Sequence, residues 1–203
     1  MKLLKELNDF KYSRDDIIVE ENNGKKVFKL KGVIQRAEST NQNGRVYPKN
    51  ILEREIENYM KLVRERKAMG ELDHADDPVV NLKNVSHLMT NIWFEGNDVY
   101  GEVEVLPTPS GNILRSLIEA DVTVGISSRA LGSVLNESGN DVVQDDLHFI
   151  CWDFVSDPST HGAYMLREAK EVSDAMIKKI FSREDRVYRA TNDLLKLIEK
   201  KNK

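Results

Sequence analysis

Two strand-like runs joined by a short turn, NVSHLMTNIWFEGNDVYGEVEVL (84–106), constrain the fold of this chain more than any other feature. The turn at 96–98 contains the glycine and asparagine that a β-hairpin favours. Further strand-like runs lie at 26–36, 122–135 and 142–157. Because helical patterns lie before, between and after these runs, the sequence predicts an α+β fold. About six or seven strands are expected, in a mainly antiparallel sheet or a barrel.

The predicted helices flank and interrupt these strands. Apolar residues recur at helical spacing over residues 48–67, and Gly70 is expected to end this helix. A second helix is predicted at 111–120. Residues 1–24 are expected to form a short helix and a loop, and residues 163–203 a long C-terminal helical segment that is interrupted near its middle.

Length and composition limit the class of protein. The chain has 203 residues, 40% of them hydrophobic and 32% charged, which is enough to bury a substantial core. We expect one domain at 1–162, with an N-terminal helical or loop extension. The segment 163–203 either belongs to that domain or mediates oligomerisation.

The net charge of −4 argues against a general nucleic-acid binder. No apolar run approaches the roughly 18 residues of a membrane span. The single cysteine, Cys151, excludes an internal disulfide framework and fits a reducing cytoplasm.

A pair of serines lies in the run VGISSRALG (124–132). Alternate residues of a strand share a face, so Ile126 and Ser128 fall on the more apolar face and Ser127 projects away from it. A serine hydroxyl is a poor nucleophile unless an adjacent base takes its proton. If either serine is reactive, Ser127 is therefore the geometric choice; the alternative is that both are ordinary strand residues. Arg129 is expected to be a salt-bridged surface residue, with contact to a substrate or an oxyanion as the alternative.

Four histidines are candidates for the base. His87 and His148 lie within strand-like runs, where a structural histidine is the usual outcome, and His161 follows a turn. His74 lies in a loop between predicted elements, where functional side chains concentrate. Since histidine titrates near neutral pH, His74 is the best candidate for a general base.

The acids around His74 suggest a rival chemistry. Asp73, Asp76 and Asp77 flank the histidine, and one His with several Asp could bind Mg²⁺, Mn²⁺ or Zn²⁺. No regularly spaced metal motif such as HExxH is present. A metal-dependent hydrolase centred on the His74 loop therefore remains an alternative to a serine nucleophile.

Four strings taken together resemble a known family. They are NGRVYPKNILEREI (43–56), AMGELDH (68–74), GNDVYGEVEV (96–105) and VGISSRALGS (124–133). In this order they resemble the prohead core proteases of tailed bacteriophages of the myovirus type. That resemblance implies a serine endopeptidase with a β-barrel ringed by helices, similar to the herpesvirus maturation protease. It implies cleavage of scaffold and capsid proteins, and of the protease itself, inside the assembling prohead in the host bacterial cytoplasm.

The resemblance also assigns roles to residues. The family's histidine corresponds to His74 and its nucleophile, the first serine of the pair, to Ser127. The third member is a second histidine in the herpesvirus relatives, and Asp153 occupies the approximate place here, with His148 as the alternative. This chain departs from the family at Ala130, where we expect the family to have glycine. No metal or organic cofactor is implied, no nucleic acid or membrane partner is expected, and related proteins form homo-oligomers.

Two further expectations concern activity. The family prefers to cut after Glu in Leu-x-Glu or Ile-x-Glu strings, so we expect self-trimming after Glu6 and after Glu199. A second alternative function is a noncatalytic scaffold component of the prohead that keeps the protease fold.

Overall fold

The structure is a computed structural model that describes residues 2–8, 17–22, 25–75, 77–137 and 139–156. Within these ranges it contains eleven strands and two helices. In chain order they are β1 (Lys2–Asn8), β2 (Ile17–Asn22), β3 (Lys25–Arg36), β4 (Arg45–Val46), α1 (Lys49–Arg64), β5 (Met69–Glu71), β6 (Val85–Glu95), β7 (Asp98–Val105), α2 (Pro109–Glu119), β8 (Val124–Gly132), β9 (Val134–Glu137), β10 (Asn140–Val143) and β11 (His148–Ser156).

The strands form three sheets. A five-stranded sheet has the order β2-β3-β7-β6-β5, one three-stranded sheet the order β1-β8-β11, and the other the order β4-β10-β9. All pairs are antiparallel except β10 with β4. The expected mainly antiparallel architecture is therefore confirmed. A closed barrel ringed by helices is not found in the described residues, because the edge strands β2 and β5 do not pair with each other. The segment 163–203, expected to be helical, lies outside the described residues.

The N-terminal prediction of a helix and a loop is wrong. Residues in this region form β1 and β2 instead, and Leu3 and Leu4 of β1 are both buried. All seven residues of β1 pair with residues 126–132 of β8, and the β-branched start of β2 pairs with β3. The helix propensity of KLLKELN is a weak local preference, and pairing with a buried neighbouring strand outweighs it.

The hairpin prediction is confirmed. Glu95 pairs with Asp98, which leaves Gly96 and Asn97 as a two-residue turn between β6 and β7. Gly96 has φ = +64°, a conformation that costs glycine little. The hairpin forms the centre of the five-stranded sheet, against which α1 and α2 both pack.

Gly70 does not end helix α1, which stops at Arg64 and is followed by a left-handed Arg66 with φ = +53°. Gly70 lies inside β5, in close contact with two other strands. A Cβ at this position would lie 2.0 Å from the Trp152 carbonyl oxygen and 2.3 Å from the His87 ring. Glycine is therefore required here because β5, β6 and β11 approach one another closely, and not because a helix terminates.

The segment after β5 joins two sheets. Leu72 forms a parallel bridge with Phe154 of β11, and the Asp73 N–H donates to the Phe154 carbonyl at 2.7 Å. The Leu72 N–H donates to the Asn84 carbonyl at 3.0 Å, just before β6. The residues that follow β5 are thus held against β11 and lie beside the strand that carries Ser127. In the part of the chain that the structure describes, neither helix combines the length and apolar character needed to cross a membrane.

Candidate active site

Strand β8 is buried on both faces. All nine of its residues are buried, and Ser127 and Ser128 are each 0% exposed. Ile126 belongs to the main hydrophobic cluster, as the alternation of the sequence predicts. The opposite face, which holds Ser127, does not open to solvent but faces a second, polar interior. The Ser128 hydroxyl lies on the other side, 3.5 Å from Gln35 Oε1.

His74 lies between Ser127 and Asp153. Its Nε2 is 2.5 Å from Ser127 Oγ, and its Nδ1 is 2.9 Å from Asp153 Oδ2. A carboxylate can only accept a hydrogen bond, so Nδ1 carries the proton and Nε2 accepts from the serine hydroxyl. The His74 side chain is 15% exposed, whereas Asp153 is 0% exposed. The structure therefore brings together the three residues that the sequence selected, in the geometry of a nucleophile, a base and an orienting acid.

Asp153 is surrounded by donors. Its Oδ1 accepts the Glu71 backbone N–H at 2.9 Å, and its Oδ2 lies 2.6 Å from Arg129 Nε. Burial alone would raise the pKa of Asp153, but the hydrogen bond from His74, the Arg129 charge and the Glu71 N–H outweigh it and lower the pKa. Asp153 is therefore a carboxylate at neutral pH.

Arg129 is not a surface residue, contrary to expectation. Its side chain is 0% exposed and contacts Glu71 Oε1 at 2.7 Å as well as Asp153. Its Nη1 donates to the Asp77 carbonyl at 2.7 Å. Burial opposes its charge, but the carboxylates of Asp153 and Glu71 outweigh burial and raise the pKa of Arg129. An arginine with two carboxylate partners can remain charged in such a site, because each partner compensates part of its lost hydration.

Sequence reasoning missed Glu71 and misplaced Arg129, although signals for both were present. Strand alternation puts Arg129 on the same face as Ser127, two residues further along β8. Glu71 is three residues before His74 in the AMGELDH string. Neither signal reveals burial, because the partners come from β5 and β11, which are distant in sequence.

The remaining histidines lie elsewhere. His87 is buried in β6, where its Nδ1 is 2.9 Å from Ser86 Oγ and its ring meets Phe154 edge-on. Burial lowers the pKa of His87 to about 4. His148 lies at the far end of β11, with Nδ1 3.6 Å from Glu55 Oε2. The structure therefore brings Asp153 to His74 and does not bring His148 there. His161 lies outside the described residues.

A metal site at His74 would need several ligand side chains close together. In the described ranges, no three His, Cys, Asp or Glu side chains are arranged as metal ligands would be. Both ring nitrogens of His74 already contact Ser127 and Asp153. Asp76, one of the acids that suggested a metal site, is not among the described residues.

Comparison with known proteins identifies the family. A model of the prohead core protein serine proteases matches residues 15–176. The prohead core protein protease of Enterobacteria phage T4 is 30% identical over 172 residues, which cover 82% of this chain and 80% of that relative. The solved structure of the bacteriophage T4 capsid assembly protease aligns with a TM-score of 0.71 and 29% sequence identity. It covers 77% of this chain and 98% of the other.

The family match spans most of the chain and contains every residue of the His74 site. The resemblance inferred from four short strings is thereby confirmed over a much longer alignment. This chain belongs to the prohead core protein serine protease family.

Proposed function

We propose that this capsid maturation protease is a serine endopeptidase in which Ser127 is the nucleophile, His74 the general base and Asp153 the acid that orients the base. The observation that carries the proposal is the position of the imidazole, with one nitrogen 2.5 Å from the Ser127 hydroxyl and the other 2.9 Å from a buried carboxylate. This arrangement is the one that acyl transfer by serine requires.

The chemistry follows from these contacts. Ser127 Oγ attacks the scissile carbonyl carbon while its proton passes to His74 Nε2, and the carbonyl π electrons move to the oxygen. Asp153 stabilises the imidazolium that results. The intermediate then expels the amine of the peptide bond, which takes the proton from His74. Water repeats the sequence on the acyl-enzyme, with His74 again as base, and releases the new carboxyl terminus.

The substrates are inferred from the relatives. The names of the T4 relative and of the T4 structure refer to the prohead core and to capsid assembly. We therefore propose scaffold and capsid proteins as substrates of this chain, inside the assembling prohead in the host cytoplasm. Four further points stay predictions. They are cleavage after Glu in Leu-x-Glu or Ile-x-Glu strings, a homo-oligomeric state, independence from metal and cofactor, and a protease domain at 1–162 followed by a separate segment at 163–203.

Co-expression with the scaffold protein of the same virus tests the proposal, with intact mass as the measurement. The wild type is compared with Ser127→Ala and with Ser128→Ala, a matched control because both serines are fully buried on one strand. We expect Ser127→Ala alone to abolish cleavage. Loss of cleavage in Ser128→Ala instead would shift the nucleophile by one residue.

A parallel treatment separates the alternatives. A serine-directed phosphonate should label Ser127 and stop cleavage, and a chelator should leave the rate unchanged. Loss of activity with the chelator would favour the metal-dependent hydrolase of the His74 loop. If the wild type never cleaves scaffold and no serine is labelled, the chain acts as a noncatalytic scaffold component.

A further inference from the structure

A row of buried charges lies behind His74. Glu71, Arg129 and Asp153 are each 0% exposed, and Arg129 is within 2.7 Å of both carboxylates. The formal charges of the three groups sum to −1. Protonation of His74 would bring the group to neutrality, because the imidazole contacts Asp153.

The other titratable groups that face this row are neutral near pH 7. Burial raises the pKa of the Cys151 thiol and of the Tyr59 phenol, and it lowers the pKa of His87 to about 4. On the loop of His74 itself, Asp73 and Asp77 are exposed, so water screens their charges. Within the described residues, the charge that His74 experiences from the interior therefore depends on the balance among Glu71, Arg129 and Asp153.

We propose that Glu71 is a positioning residue that acts through Arg129. The Glu71 carboxylate pairs with part of the guanidinium charge, so that Asp153 keeps enough negative charge to stabilise the His74 imidazolium. This inference rests on the proposed serine mechanism and adds two residues to it. Without Glu71, Arg129 would have Asp153 as its one carboxylate partner among its described contacts and would cancel the Asp153 charge. With Glu71, the arginine fixes the carboxylate in place while a net negative charge remains for the base.

The contacts of Glu71 allow its charge to be removed with little change of shape. Oε1 accepts from Arg129 Nη2 and from the Asn81 N–H, each at 2.7 Å, whereas Oε2 has a 3.4 Å contact with Asn84 Nδ2. In Glu71→Gln, the amide oxygen can take the place of Oε1 and keep both short bonds. The amide nitrogen then replaces only the more weakly bonded oxygen.

The test measures how fast a fluorophosphonate modifies Ser127, between about pH 5 and pH 9, in the full chain. The variants are Glu71→Gln and the control Glu55→Gln. Glu55 is also buried and lies 3.1 Å from an arginine, Arg54. In the part of the chain that the structure describes, it bonds to neither His74 nor Asp153. We expect Glu71→Gln to move the acid-side midpoint of the rate profile to lower pH by about half a unit or more, because the imidazolium loses stabilising charge. The plateau rate should fall about tenfold.

An unshifted midpoint in folded Glu71→Gln would overturn the proposal, even if the plateau rate falls. A purely structural role would change the plateau rate and not the pH of the midpoint. The same shift in Glu55→Gln would overturn it as well. If Glu71→Gln does not fold, as judged by circular dichroism, Glu71→Asp provides the test. It keeps the charge, so its midpoint should match the wild type, and a drop of half a unit would contradict the charge argument. Failure of the proposed function looks different: the wild type would then show no labelling that depends on Ser127.

Discussion

Ser127 and Asp153 are directly opposite each other in the paired antiparallel strands β8 and β11. Side chains of opposite residues lie on the same face of a sheet, so the strand register alone brings Ser127 and Asp153 to one side. The next pair along, Ser128 with Trp152, projects to the other face. His74 then completes the set from the loop after β5. This register explains why Asp153 and not His148, which pairs with Leu131, lies beside His74.

The first prediction concerns the acid. Asp153→Asn should lower kcat for scaffold cleavage by about three to four orders of magnitude, because an amide neither fixes the His74 tautomer nor stabilises the imidazolium. His148→Gln is the control, since His148 lies beside Glu55, and it should retain nearly full activity. The opposite result, an inactive His148→Gln with an active Asp153→Asn, would assign the third position to the histidine.

Gly70→Ala should destabilise the protein by about 2–4 kcal/mol. The new methyl would meet the rigid backbone carbonyl of Trp152 at 2.0 Å, so β5 would have to move away from β11. Urea denaturation measures the change. Gly101→Ala is the matched control, because its methyl would meet side chains and not backbone, Ile34 at 2.8 Å and Met89 Sδ at 3.2 Å, and it should cost less. Equal losses would mean that the approach of β5 to β11 is not critical.

His87 should make the fold sensitive to mild acid. Its pKa is lowered from 6.5 to about 4 by burial, so between these values the unfolded chain binds a proton that the native chain does not. The free energy of unfolding should therefore fall as the pH decreases through this window, by about 3 kcal/mol in all. Because the pKa of Asp153 is lowered from 3.8, the stability that Asp153 contributes is lost only below about pH 3.8, outside the window. His87→Asn should flatten the dependence, and a slope as steep as that of the wild type would assign the titration to another group.

Self-trimming is a separate prediction. Incubated wild type should lose its first six residues and the residues after Glu199, and intact mass would reveal both species. Glu6→Gln and Glu199→Gln should each remove one product, and Ser127→Ala both. Residue 6 pairs with residue 128 of β8, so the first cut requires β1 to leave the sheet. Glu199 lies outside the described residues. If neither species appears in aged wild type, the expectation is wrong.

Local signals predicted the parts of this protein that depend on nearby residues. The β6–β7 hairpin follows from its turn residues, and helix α1 from its apolar spacing. The choice of Ser127 over Ser128 follows from strand alternation, and the family strings indicated His74. The geometry that joins them to Asp153 agrees with that choice.

Features that depend on distant pairing could not be predicted in this way. The sequence of β1 favours a helix when it is considered alone, but these residues form a strand because they pair with β8. Arg129 looks like a surface residue until Glu71 and Asp153, contributed by β5 and β11, enclose it. Gly70 resembles a helix stop because its close neighbours, His87 and Trp152, are far along the chain.

The attachment of the His74 loop to β11 has a consequence for biosynthesis. His74 precedes Ser127 by 53 residues and Asp153 by 79. The loop of His74 is held in place by β11, which is translated after both His74 and Ser127. A nascent chain that has reached residue 132 contains the proposed nucleophile and base, Ser127 and His74, but lacks the strand that aligns them. Because contacts between such distant segments form late in folding, proteolytic competence should be acquired only when β11 docks. A nascent chain that ends before β11 should therefore be inactive as a protease, because of the order of its strands.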